Sequence, residues 1–205
     1  MDGIIFDIDG TIWDSREPVA KAWNDVLENE TDLDIRVDAQ ILTGLFGKPM
    51  TEIRDLLFGD LPEEERGRVA ARCYERENEY LYDEPGTVYP GIMEAIKELS
   101  TRYPLFIASN CQDGYIQVLL KSTGLSEYFK DFICYDDTGL SKGKNIRILM
   151  ERNGLNEVVY VGDTKGDEEA CREAGIPFAY VTYGLGEAAE PDYVIHTAGQ
   201  LTELW

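Results

Sequence analysis

The sequence predicts an α/β protein: a Rossmann-like, doubly wound parallel sheet core with an inserted all-helical cap domain. Three observations carry that expectation. Short apolar, β-branched runs recur through the second half of the chain, each followed by a helical pattern and most of those helices by a stopping glycine. The first such run, Ile4-Ile5-Phe6, stands at the N-terminus and leads into two carboxylates, Asp7 and Asp9. Between it and the next strand pattern, residues 15–84 carry helical periodicity only. The chain therefore divides into a core, residues 1–14 and 85–205, and the helical insert, residues 15–84.

Taken in order, Ile4–Phe6 reads as a buried parallel strand. Ser15 is in place to cap a helix, with Pro18 tolerated in its first turn and Val19, Trp23, Val26 and Leu27 on one face. Asp38 caps a second helix carrying Ile41 and Leu42, which Gly44-Leu45-Phe46-Gly47-Lys48-Pro49 breaks. A third helix is expected over Thr51–Phe58. A fourth starts at Pro62 with Glu63, Glu64 and Glu65, acids that favour the positive end of the dipole, and runs to about Tyr82. Val69, Ala70, Cys73, Tyr74, Tyr80 and Leu81 form its inward side. Pro90-Gly91 opens a helix with Ile92, Met93, Ala95, Ile96 and Leu99 inward. Leu105–Ala108, Phe132–Tyr135, Val158–Val161 and Phe178–Val181 read as strands; the helices between them stop at Gly124, Gly154 and Gly175.

The 205 residues suffice for one sizeable core and a smaller second one. No apolar run approaches the ~20 residues that cross a bilayer, and the first strand begins too early for a signal peptide. A cytoplasmic protein, off the membrane, is expected, as a monomer or homodimer. Cys73, Cys111, Cys134 and Cys171 are scattered without a C-x-x-C pair and read as reduced thiols. The single histidine, His196, lies far from them, which argues against zinc. The net charge of −21, from 40 acidic and 19 basic residues, repels nucleic acid. It would also repel an anionic ester, so a phosphate-binding site here needs a cation to reverse the local sign.

Polar residues gather at strand ends or just beyond: Asp7 and Asp9, Ser109 and Asn110, Lys142, and Asp163 and Asp167. In a parallel sheet such ends share one edge, where open α/β sheets bind ligands. Four aspartates brought together raise one another's pKa, a conflict that a hard divalent cation removes; an all-oxygen set suits Mg2+.

Asp7-Ile8-Asp9-Gly10-Thr11 resembles the first motif of the haloacid dehalogenase superfamily. Leu105-Phe106-Ile107-Ala108-Ser109-Asn110 resembles its second, Lys142 its third-motif lysine, and Val161-Gly162-Asp163-Thr164-Lys165-Gly166-Asp167 its fourth, in the GDxxxD form. The resemblance spans essentially the whole chain. It implies a magnesium-dependent phosphatase of small phosphorylated metabolites, most like the phosphoglycolate phosphatase branch with a helical cap. Asp7 is then the nucleophile that forms an aspartyl-phosphate and Asp9 the general acid and base, its carbonyl also binding the metal. Asp7 and Asp163 are metal ligands, and Asp167 a direct or water-mediated one. The Ser109 hydroxyl and nearby backbone amides hold the phosphoryl oxygens, Thr11 and Asn110 bind substrate, and Lys142 rather than Lys144 supplies positive charge. Gly47 and Lys48, in the break of the cap, are the cap residues expected to meet the substrate; Trp13 and Ser15 lie near the junction of cap and core.

The main alternative within the superfamily is a β-phosphoglucomutase-like transfer. That clade places a histidine in the cap where this chain has Val19. A dehalogenase would do without Asp9 and the metal, and a phosphonatase would want a Schiff-base lysine, for which only Lys48 or Lys21 stands available. Outside the enzymes, a phospho-accepting receiver domain also uses aspartate, magnesium and lysine on a parallel sheet, but the helical insert and Asp9 speak against it.

Overall fold

The strand β1 (Gly3–Phe6) is buried at every residue and lies at the centre of the sheet, in the computed structural model that describes residues 1–205. Its neighbours are β4 (Leu105–Ser109) and β6 (Val158–Gly162), paired parallel in the registers Ile4↔Leu105 and Ile4↔Val159. β5 (Phe129–Cys134) extends the sheet beyond β4, and β7 (Phe178–Val181) and β8 (Tyr193–Ile195) extend it beyond β6. The order is β5-β4-β1-β6-β7-β8, with every pairing parallel. The strand order reverses at β1, so the crevice beyond its C-terminal end is where such a sheet binds ligands. The near-continuous apolar sequences of β1, β4 and β6 follow from burial on both faces.

Two further pieces of extended chain, β2 (Trp13–Asp14) and β3 (Thr87–Val88), form an antiparallel ribbon in which Trp13 faces Val88 and Asp14 faces Thr87. The chain leaves the sheet through β2 and returns through β3. Between them lie four helices: α1 (Arg16–Glu30), α2 (Ala39–Thr43), α3 (Met50–Phe58) and α4 (Glu63–Asp83). Each except the short α2 buries a stripe at helical spacing, as Val19, Ala22, Trp23, Val26 and Leu27 do on α1. The remaining helices, α5 (Ile92–Ser100), α6 (Tyr115–Thr123), α7 (Lys142–Asn153), α8 (Lys165–Ala174) and α9 (Gly199–Leu204), pack around the sheet. Gly124, Gly154 and Gly175 end α6, α7 and α8 in left-handed caps.

Several expectations need correction. Ser15 precedes α1, but its hydroxyl makes no cap bond; it is used by Asp9 instead. Asp38 does cap α2, accepting from the Ile41 N–H at 2.8 Å. β5 begins three residues earlier than the apolar pattern suggested and ends at Cys134; Lys130 and Asp131 break the apolar run, and the ladder passes over Lys130 in a register shift opposite Leu105 and Phe106. Met93, Tyr74 and Tyr80 pack against the core as expected, but each is half-buried. The four cysteines are buried and free, His196 is exposed, and no helix is long and apolar enough to cross a membrane.

Candidate active site

β1 delivers Asp7 to the sheet edge, and the turn after it carries Asp9 through Gly10. Gly10 adopts φ +86°, and a Cβ there would run into Asp163 Oδ2, so the turn needs glycine on both counts. β6 ends beside it and presents Asp163, fully buried, whose Oδ2 accepts from the N–H groups of Leu185 (2.6 Å) and Gly186 (3.1 Å). Asp167 stands at the third position of α8. Its Oδ2 accepts from Thr164 N and Oγ1, while Thr164 Oγ1 accepts from Asp167 N, a reciprocal capping box.

Lys142 ties these elements together. It is the first residue of α7, 5% exposed, and its Nζ donates to Asp7 Oδ1 at 2.9 Å and to Asp167 Oδ1 at 2.6 Å. Below it the Tyr160 hydroxyl donates to the Ala108 carbonyl at 2.8 Å. Burial lowers the ammonium's pKa, but the charges of Asp167 and Asp7 more than reverse this and keep it protonated. Lys144 is exposed, and Lys165 pairs with Glu169 on the surface at 3.6 Å; neither reaches the cluster.

One lysine does not balance the acids around it. Carboxylate oxygens of Asp7, Asp163 and Asp167 all lie within 4.8 Å of one another. Burial, only partly opposed by Lys142, raises Asp7 to about 7. Burial, joined by the charges of Asp167 and Asp7, raises Asp163 to about 8. Asp167 alone goes the other way: burial pushes it up, and Lys142 with the Thr164 donors outweighs burial and holds it low. Asp163 Oδ1 is buried without any hydrogen-bond partner. An all-oxygen cluster with excess negative charge and an orphaned carboxylate oxygen fits a hard divalent cation. Both oxygens of Asp167 are already engaged, so Asp7 and Asp163 are the carboxylates freest to hold one.

Asp9 sits apart from that cluster and is held differently. Its Oδ1 accepts from Ser15 Oγ at 2.6 Å, Tyr115 OH at 2.7 Å and Trp13 Nε1 at 3.0 Å. Burial raises Asp9 to about 6 in spite of those donors. A carboxyl poised there can both give and take a proton near neutral pH.

Asp7 and Asp9 open into a small cavity of about 30 Å³, also lined by Ser109, Asn110, Gly47 and Lys48, with room for one or two waters. Its far wall is helical: Trp23 from α1, Phe46, Met50 and Ile53 from the α2–α3 region, and Glu77 from α4. The segment around Gly47 reaches the sheet edge, where Asn110 Nδ2 donates to the Gly47 carbonyl at 2.8 Å. Gly47 and Asn110 also line a wider cleft of about 670 Å³ bordered by Lys142 and Thr164. Lys48 is held by Glu52 at 2.6 Å. Thr11 is fully buried outside the cavity lining, its Oγ1 without a partner.

Sequence reasoning missed Tyr115, Tyr160, Gln112 and Glu77. Glu77 had a signal: it falls at the spacing of Cys73 and Leu81 on the buried stripe of α4, an acid where an apolar residue belongs.

Comparisons with known proteins agree with this geometry. Residues 4–181 match the family model of the haloacid dehalogenase-like hydrolases. The phosphoglycolate phosphatase of Escherichia coli (strain K12) is 24% identical over 97% of this chain and 90% of its own length, and that of Shigella boydii is 25% identical over the same shares. Among solved structures, a haloacid dehalogenase-like hydrolase of Streptococcus pneumoniae superposes with a TM-score of 0.84 at 23% identity, covering 100% of this chain and 98% of its own. CbbY of Rhodobacter sphaeroides, solved in complex with phosphate, has a TM-score of 0.85 at 19% identity, over 98% and 96% of the two chains. With its family model matched over nearly the whole length and its motif residues brought to one sheet edge, the chain belongs to the haloacid dehalogenase-like hydrolases.

Proposed function

We propose that this hydrolase is a magnesium-dependent phosphatase of small phosphate monoesters that works through an aspartyl-phosphate on Asp7. The observation that carries the reading is the buried Asp7–Lys142 contact at the sheet edge, 2.9 Å long, beside a cavity that Asp9 also borders. The relatives named phosphoglycolate phosphatase support phosphoryl chemistry.

A free Asp7 oxygen attacks phosphorus as the bond to the leaving oxygen breaks. Asp9 gives its proton to that oxygen, so a neutral alcohol departs. Asp9, now a carboxylate, takes a proton from water as the water oxygen attacks phosphorus. The Asp7–phosphorus bond breaks, and inorganic phosphate and the original carboxylate are regenerated. Lys142 favours the charged form of Asp7 against burial and adds positive charge where the transferring group gathers negative charge. Ser109 is assigned to a phosphoryl oxygen. Asn110 is assigned to the junction with the Gly47 segment, leaving its Oδ1 to the substrate. Asp7, Asp163 and the Asp9 carbonyl would hold magnesium, with Asp167 acting directly or through water. When bound, the ion supplies the positive charge that a chain of net charge −21 otherwise lacks here. Residues 15–84 would act as a cap whose closure excludes water, with Gly47 and Lys48 on its substrate side.

Release of inorganic phosphate from p-nitrophenyl phosphate tests the reading. Sustained turnover with magnesium, loss of it with EDTA and loss of it in Asp7→Asn are expected. Turnover that survives Asp7→Asn would contradict it.

A further inference from the structure

Glu77 is 4% exposed, sits in the middle of α4 and faces the same cavity as Asp7 and Asp9. Around it the helical wall is apolar: Trp23, Phe46, Met50 and Ile53. Its Oε2 accepts from Trp23 Nε1 at 2.6 Å, and the Gln112 amide lies alongside; no lysine or arginine reaches it. An indole N–H needs only a neutral acceptor, and a carboxyl placed in an apolar wall without a cation is a costly way to provide one. A structural role would be served by Gln. With the cap drawn back to admit an ester, the place of Glu77 on the wall that Asp9 also lines suits, by contrast, an acceptor for a group on the departing alcohol.

The cations at the cavity complete the case. Lys48 is the one cation in the cavity lining and is engaged by Glu52; Lys142 lies outside that lining, engaged by Asp7 and Asp167. A carboxylate on the substrate would meet an apolar wall and a lysine already paired with Glu52, and Glu77, once ionised, would stand against it. We propose that Glu77 selects the leaving group: the preferred ester carries a second hydrogen-bond donor, a hydroxyl as on a polyol or small sugar, and no carboxylate. This rests on the phosphatase reading and departs from what the names of the relatives suggest, since glycolate is a carboxylate.

The test, run above pH 8 so that Glu77, raised by burial to about 8, is ionised, compares glycerol 3-phosphate, phosphoethanolamine and 2-phosphoglycolate on the magnesium-loaded protein and on Glu77→Gln, which keeps the acceptor for Trp23. The expected result is a kcat/KM for glycerol 3-phosphate at least about tenfold above that for 2-phosphoglycolate. Glu77→Gln should shrink that ratio, through KM, by favouring the carboxylate ester. A lead for phosphoethanolamine would also support the proposal and make the donor an ammonium. Equal or better use of 2-phosphoglycolate by the unaltered protein, or a ratio unchanged in Glu77→Gln, overturns it. If no ester, p-nitrophenyl phosphate included, releases phosphate, the phosphatase reading fails. Titration of tryptophan fluorescence with the same esters then still decides about Glu77: tighter binding of the donor-bearing esters supports it, and equal or tighter binding of 2-phosphoglycolate overturns it.

Discussion

Replacing Lys142 with methionine removes the only ammonium in the carboxylate cluster and keeps most of the side-chain volume. Asp7 and Asp167 are 2% and 0% exposed, and each would be left as a buried acid without its partner at 2.9 or 2.6 Å. Breaking a buried ion pair from one side costs about 3–5 kcal/mol. For a chain of 205 residues, each kcal/mol moves the melting temperature by about 2–4 °C, so Lys142→Met should melt about 6–20 °C lower in EDTA. Magnesium should recover part of the loss, because a divalent cation answers the same charges; its stabilising shift should be larger in the variant than in the unaltered protein. Turnover of p-nitrophenyl phosphate should fall by about 10²–10³ in kcat, the scale for losing one charge-stabilising donor. Paired melts with and without magnesium, and initial rates of phosphate release, read both effects. A melting temperature in EDTA within about 2 °C of the unaltered protein, together with unchanged kcat, would refute the assignment of Lys142 as the cation of this cluster.

Asp9→Asn should separate leaving groups: hydrolysis of an alkyl phosphate, whose alcohol must be protonated as it leaves, should fall by about 10²–10⁴, the range for a positioned acid, while the first displacement on p-nitrophenyl phosphate, measured as a single-turnover burst, should fall much less. Equal losses would remove the acid role. Stability in EDTA should decline with rising pH. Burial raises Asp7 to about 7, Asp9 to about 6, and Asp163 and Glu77 each to about 8. The folded protein thus keeps protons that the unfolded chain sheds above its ordinary carboxylate values, and the stabilisation present in acid is lost as pH climbs through 6 to 8. Melts across that window should slope downward in EDTA and more gently with magnesium, since the ion takes the place of protons on Asp7 and Asp163; identical slopes would be the contrary result.

The sheet was legible because its strands are buried on both faces and therefore written as apolar runs: β1, β4, β6 and β7 fall where the runs fall. β8 was not, since Tyr193 and Val194 are exposed and only Ile195 is buried, which leaves no run to read. The two-residue strands β2 and β3 are too short to hold any period. At the site, the acids and Lys142 could be placed because each follows a strand or opens a helix on one edge. Tyr115 could not: it lies at the start of α6, and its approach to Asp9 across 106 positions of sequence is set by how α6 packs beside the turn. Ser15 was read as a cap because local propensity points that way; its hydroxyl instead donates to the Asp9 carboxylate and accepts from no N–H of α1, a contact that only the folded turn after β1 creates.

The central claim is that Asp7 carries the phosphoryl group in the course of turnover. Rapid acid quenching of the magnesium-loaded protein during turnover of a ³²P-labelled monoester, followed by peptide mapping, addresses it directly. Label on the peptide containing Asp7, released by hydroxylamine and missing from Asp7→Asn, is the expected result. Turnover without protein-bound label, or label on another residue, would contradict the claim.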